Sequence, residues 1–188
     1  MSLLNSFSSV SSTWRYAWPL KGTFGLLAAL VVLSACGSND VAEVPFVCPR
    51  IFVPKDSGKI VRFRGEGRDL TDVLFETKID GRTIECELDD GVVEMKMLVS
   101  LRVGRGPADE SRQADFSYFV AVARTDGEIL AREEFSVSVK LPGNQTLVEK
   151  IDEVEPEIPL RSGESGAEYG IFLGFALSPS EYEYNRGN

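Results

Sequence analysis

The sequence contains no histidine, and that absence excludes more chemistry than any motif present suggests. Serine and cysteine nucleophiles lean on a neighbouring base, most often histidine, and a zinc hydrolase would lack its commonest ligand. Cysteine is scarce: there are three, at positions 36, 48 and 86, with no Cys-x-x-Cys spacing, which argues against a redox pair or a thiolate metal site. Positive charge is in deficit, with 20 Lys+Arg against 29 Asp+Glu. Such a surface repels phosphate backbones and argues against a nucleic-acid partner. Helical periodicity is missing everywhere but the tail, and no internal repeat is visible. The longest apolar stretch, Phe24 to Leu33, is shorter than the roughly 20 residues a membrane-spanning helix needs.

What is present at the N-terminus has an order of its own. Residues 1–22 hold many serines, and their only charges are positive, Arg15 and Lys21. An apolar core follows, then Ser34, Ala35 and Cys36. A positive region, a short apolar region and a small-residue cleavage site are the parts of a secretory signal. Leu33-Ser34-Ala35-Cys36 resembles the lipobox of bacterial lipoproteins. That resemblance implies a precursor in which the Cys36 thiol is alkylated with diacylglycerol, the chain is cut before Cys36, and the new amine is acylated. It covers only the first forty or so residues. An ordinary secretory signal followed by a coincidental cysteine is the alternative. The resemblance divides the chain into a signal over 1–35, a lipidated tether over 36–46 and one domain over 47–188. It also implies a membrane partner reached through the lipid anchor. Gly37 follows the cysteine where aspartate would retain an enteric lipoprotein in the inner membrane, so the expected address is the outer membrane, facing the periplasm.

From Cys36 onward the net charge falls from −9 to −11, because Arg15 and Lys21 leave with the signal. About 150 residues remain, enough for one domain with a hydrophobic core. With Cys36 lipidated, Cys48 and Cys86 form an even pair in an oxidising compartment, which favours a disulfide over two buried thiols. The bridge would close a loop of about 39 residues and contribute roughly 4 kcal/mol in the chain-entropy model. Ile84, Cys86 and Leu88 share one parity, which predicts that Cys86 faces the core of its strand.

Beyond the tether, the hydrophobic period is two. Val93, Met95, Met97, Val99, Leu101 and Val103 alternate with mostly polar residues. Phe135, Val137, Val139 and Leu141 form a second set, Tyr169 to Leu177 a third, and Val73, Phe75, Thr77 and Ile79 a fourth. Phe116 to Val122 is apolar on both faces, which predicts a central strand. Asp80-Gly81, Asp90-Gly91 and Asp126-Gly127 read as tight turns, because Asp-Gly supplies the positive φ angles a hairpin needs. Eight or nine strands are predicted, at about 50–54, 59–64, 73–79, 82–88, 92–103, 114–124, 128–140, 146–152 and 168–177. Ser178-Pro179-Ser180-Glu181 fits a capping box, so a helical turn should run from about 179 to 185. The fold class is therefore all-β: an immunoglobulin-like or fibronectin-type antiparallel sandwich with a short C-terminal helical turn.

Candidate sites are sparse. Met95-x-Met97 could suggest a copper site, but both lie on the apolar parity of a strand and read as core. Asp89-Asp90 and the run Asp152, Glu153, Glu155, Glu157 could suggest calcium. A turn and a solvated acidic loop explain them better. Gly104-Arg105-Gly106-Pro107 lacks the lysine and the following helix of a phosphate loop. Arg62, Arg64 and Arg68 form a small basic patch, read as a solvated strand face balanced by Glu66 and Asp69. With Tyr182 and Tyr184 of the tail, Arg62 and Arg64 are the candidate partner surface. No cofactor or metal is expected. Past the lipobox the chain is similar to small Gram-negative envelope lipoproteins, a resemblance that brings no active-site residues. The expected function is a non-enzymatic structural or protein-interaction module with an envelope protein partner. A module binding a small ligand, glycan or lipid is the alternative, and a carboxylate-based glycoside hydrolase the second alternative.

Overall fold

A computed structural model describes residues 45–187 of the chain. The signal, the lipobox with Cys36 and most of the tether lie outside the described residues. Nine strands and one helix follow in order: β1 (Arg50–Phe52), β2 (Lys59–Phe63), β3 (Val73–Asp89), β4 (Val92–Arg105), β5 (Gln113–Arg124), β6 (Ile129–Lys140), β7 (Leu147–Val154), β8 (Glu157–Pro159), β9 (Tyr169–Phe175) and α1 (Pro179–Gly187). They form two sheets. Sheet A has the order β1-β9-β5-β6; sheet B has β2-β3-β4-β7, with β8 also pairing with β4. This is a β-sandwich with one short C-terminal helix. Its pairings are antiparallel except for β1, which runs parallel to β9.

The period-two patterns produce the core directly. Val93, Met95, Met97, Val99, Leu101 and Val103 point inward from β4, and each is at most 3% exposed. Both methionines are therefore core. From sheet A, Phe116, Tyr118, Val120 and Val122 of β5 and Ile171, Leu173 and Phe175 of β9 meet them. Phe116 packs edge-on against Phe175, with ring centroids 5.6 Å apart. Truncating one of these large side chains would cost about 2–5 kcal/mol, because the lost contacts are not replaced in a close-packed interior.

Two turn expectations divide sharply. At Asp90-Gly91 both residues have positive φ, 44° and 81°, and Asp89 pairs with Val92 across a two-residue hairpin. Asp80-Gly81 is no turn. The two strands expected at 73–79 and 82–88 are one continuous 17-residue strand. Glycine is required at 81 because a Cβ there would lie 2.3 Å from Leu173 Cδ1 of the opposite sheet. The parity expectation for Ile84 also needs correction. The register slips between Thr83 and Glu85, so Ile84 sits in a bulge and is exposed. That slip moves the inward parity from odd positions, such as Ile79 and Thr83, to Cys86 and Leu88, which pair with Met95 and Val93. Cys86 packs against the core, while Leu88, near the hairpin end, stays exposed.

Cys48 and Cys86 form a disulfide, with Cα atoms 6.3 Å apart. It ties the segment entering β1 of sheet A to β3 of sheet B. The far half of β3 needs that tie, because β2 pairs only with residues 73–78. At the other end, the capping box forms as expected. The Ser178 N–H donates to Glu181 Oε2 at 2.8 Å, and the Glu181 N–H donates to Ser178 Oγ at 3.3 Å.

Candidate binding groove

The outer face of sheet A carries a groove of about 800 Å³. Its floor follows from strand register. One row across the sheet reads Arg50, Gly170, Ala123 and Ile129; the next reads Phe52, Phe172, Ala121 and Arg132. Gly170 and Ala123 occupy the middle of the first row, Phe172 and Ala121 that of the second, and larger side chains stand at the edges. Gly170 lies beneath the stacked rings of Phe52 and Phe172, whose centroids are 5.3 Å apart. A Cβ at Gly170 would come within 3.0 Å of the Phe52 ring. Beside this, Gly174 gives room to the Phe119 ring, 2.8 Å from where its Cβ would stand. Val47 and Cys48 border the groove, and the Val47 carbonyl presses so closely on Gly166 that a side chain there would collide at 2.1 Å.

The charge of the groove is one-sided. Among the described residues, Arg50, Arg124 and Arg132 line it, and no aspartate or glutamate does. The three arginines differ. Arg124 is tied to Glu164 at 2.7 Å, with Asp126 and Glu128 at 3.4 and 3.8 Å. The same Glu164 accepts from the Tyr169 hydroxyl. The Arg124 guanidinium and then the Tyr169 hydroxyl hold the Glu164 carboxyl down at about 2. This cluster is a fixed wall. Arg132 lies over the Phe119 ring at 4.3 Å and has only Glu134, at 3.9 Å, for an ion pair. Arg50 has no carboxylate within ion-pair distance among the described residues. The groove thus offers an apolar floor and guanidinium donors, which suits binding of an apolar or anionic group.

The residues singled out in the sequence lie elsewhere. Arg62, expected on a solvated face, instead has the inward parity of β2, opposite Phe75. Its guanidinium lies 5.3 Å from the Phe75 ring and donates to Glu181 at 2.8 and 3.1 Å and to the Asp115 carbonyl at 2.9 Å. It closes one end of the sandwich and fastens α1. Tyr184 meets Phe63 edge-on at 5.1 Å. Buried Asn185 donates to the carbonyls of Asp56 and Lys59. Arg62, Arg68, Glu181 and Tyr184 come together around a shallower pocket of about 300 Å³. Arg64 and Tyr182 are exposed and stand outside it. Asp152 accepts from the Tyr118 hydroxyl and pairs with Lys150, while Glu153 and Glu155 share Lys96. Among the described residues, no three Asp, Glu, His or Cys side chains are grouped to hold a metal ion.

No protein-family model matches the chain, and no curated protein matches it. A solved structure with partial likeness is the variable (V) domain of the Streptococcus agalactiae AgI/II polypeptide BspA. It is 12% identical and covers 67% of this chain and 76% of that chain, with a TM-score of 0.16. A likeness that low establishes no shared fold or function. Among the groove residues the sequence singles out Cys48 as a site residue, and that for its disulfide. The available signals were the two-sided apolarity of residues 116–122 and the glycines at 170 and 174, which together mark a sheet face that is not solvated.

Proposed function

We propose that this chain is a bacterial envelope lipoprotein, anchored through lipid on Cys36, whose sandwich is a non-enzymatic binding module. The observation that supports the binding role is the groove on sheet A: about 800 Å³, apolar-floored, and lined among the described residues by arginine and by no carboxylate. It favours the ligand-binding alternative over a purely structural module, because ligand sites are concave, mostly apolar and provided with a few polar groups. Anchoring is supported by the order of parts around Leu33-Ser34-Ala35-Cys36. One acyl chain binds a bilayer only marginally, at about 0.8 kcal/mol per buried CH₂, whereas three would hold the protein there. The outer membrane, periplasmic side, is the address that Gly37 favours. The test is fractionation of cells expressing the full chain or Cys36→Ser. The wild type should sediment with membranes and the variant should appear in the soluble periplasmic fraction. A variant that still sediments would overturn the anchor.

A further inference from the structure

We infer that the groove on sheet A takes a long-chain fatty acid, its tail along Ala121, Ala123 and the Phe52 and Phe172 rings and its carboxylate at Arg50. The inference deepens the binding role proposed above and rests on it. Charge complementarity decides the class of ligand. Acids outnumber bases in this chain, 29 to 20, yet among the described residues every charged side chain lining the groove is an arginine. Of the three, Arg124 is saturated by Glu164, Asp126 and Glu128, and Arg132 is laid over Phe119. Arg50 is left to meet an anion, and its planar fork matches a carboxylate.

Volume decides the number of tails. Taking a methylene as about the size of a water molecule, about 30 Å³, a palmitoyl chain fills on the order of 500 Å³. One tail fits the groove and two do not, which disfavours a diacyl phospholipid. The protein's own anchor is disfavoured by its chemistry, since an acylated, diacylglycerol-bearing cysteine presents no anionic head. A peptide helix, about 10 Å across, would use the width but leave Arg50 without an anion.

Photoactivatable palmitate tests this on the full chain in isolated membranes, with adducts mapped by peptide mass spectrometry. The adducts should concentrate in residues 119–132 and 169–173. Excess palmitate should suppress them, and cetyl alcohol, with the same tail and no charge, should do so much less well. Arg50→Gln should weaken labelling by about tenfold, the loss expected for one charge-assisted contact. Ile129→Glu, at the exposed rim, should weaken it independently. Recovery of the Cys48–Cys86 linked peptide from each variant shows that it has folded. Adducts spread evenly over the domain, or equal competition by the alcohol, would overturn the inference. So would labelling that occurs in Cys36→Ser, taken from whichever fraction holds it, and not in the wild type, because the anchor itself would then fill the groove. Fractionation reports on the anchor and the adduct map on the groove, so either can fail without the other.

Discussion

The two outer faces of the sandwich are built from strands of similar length and end in opposite chemistry. On sheet B, β4 presents Glu94, Lys96, Ser100 and Arg102, and the near half of β3 presents Glu76, Lys78 and Asp80. Their partners lie across the strands: Lys96 with Glu153 at 2.6 Å and Glu155 at 3.5 Å, Ser100 with Glu149 at 2.5 Å. That face is mostly polar and ion-paired, as a solvated antiparallel sheet is, with Leu98, Leu147 and Ile151 as its apolar exceptions. On sheet A, the outward residues of β5 change character along the strand. Ser117 lies opposite Ser136 at one end, while Phe119, Ala121 and Ala123 follow at the other. Across two adjacent rows the inner strands there carry only Gly170, Ala123, Phe172 and Ala121. The contrast singles out this face as the candidate binding surface without any catalytic motif.

The largest effect expected from breaking this contrast comes from the disulfide. It joins the border of the groove, at Cys48, to the unsupported half of β3. A Cys48→Ala/Cys86→Ala double variant should lose about 4 kcal/mol of stability, read from urea unfolding. Hydrogen exchange should quicken in residues 45–52 and 82–89 and change little along the β4–β7 pairing. A uniform rise across both sheets would show that the bridge serves the whole sandwich and not the groove wall.

A smaller effect tests the faces themselves. Ala121 is 6% exposed on the groove floor, whereas Arg102 is exposed on the outer face of β4. Ala121→Glu should cost about 2 kcal/mol, because it places a charge against an apolar surface. Arg102→Gln should stay within about 0.5 kcal/mol. Equal costs in chemical denaturation would remove the distinction between the faces.

How much of this was legible in the sequence differs by the range of the interaction that decides it. The inward set of β4 and the capping box at Ser178 are local patterns, and they form where their periods put them. Asp80-Gly81 carries the same local turn signal as Asp90-Gly91, but Leu173, some ninety residues away, makes Gly81 a place of close approach within a strand. The bulge at Ile84 similarly shifts parity for a reason that only the partner strand reveals. Arg62 looked solvated beside Arg64, because nothing local records that Glu181 would be its partner. The groove is the most dispersed feature of all. Arg50, Ala121, Ala123, Arg132 and Gly170 come from four strands, and only the register brings them into adjacent rows. Residues 116–122 did announce an apolar second face, which was explained by a central strand alone.

The smallest effect concerns acid, and it separates a fixed wall from a surface pair. Glu164 is bound by the Arg124 guanidinium, the Tyr169 hydroxyl and the Arg161 N–H. These hold its folded pKa near 2 against an ordinary 4.5. A depressed carboxylate contributes stability that is fully present above its unfolded pKa and is lost as pH falls through its folded one. Wild type should therefore shed this contribution between about pH 5 and about pH 2. Glu164→Gln should be less stable than wild type at neutral pH, and the gap should close across that window in urea unfolding. On the opposite sheet, Glu153 meets Lys96 with both side chains substantially exposed. Glu153→Gln should move neutral-pH stability by less than about 0.5 kcal/mol, and added salt should erase the difference. A pH-independent gap for Glu164→Gln would mean that the Arg124 cluster is held by packing alone. The groove wall would then owe nothing to charge, and Arg124 would join Arg50 as a guanidinium open to an anionic ligand.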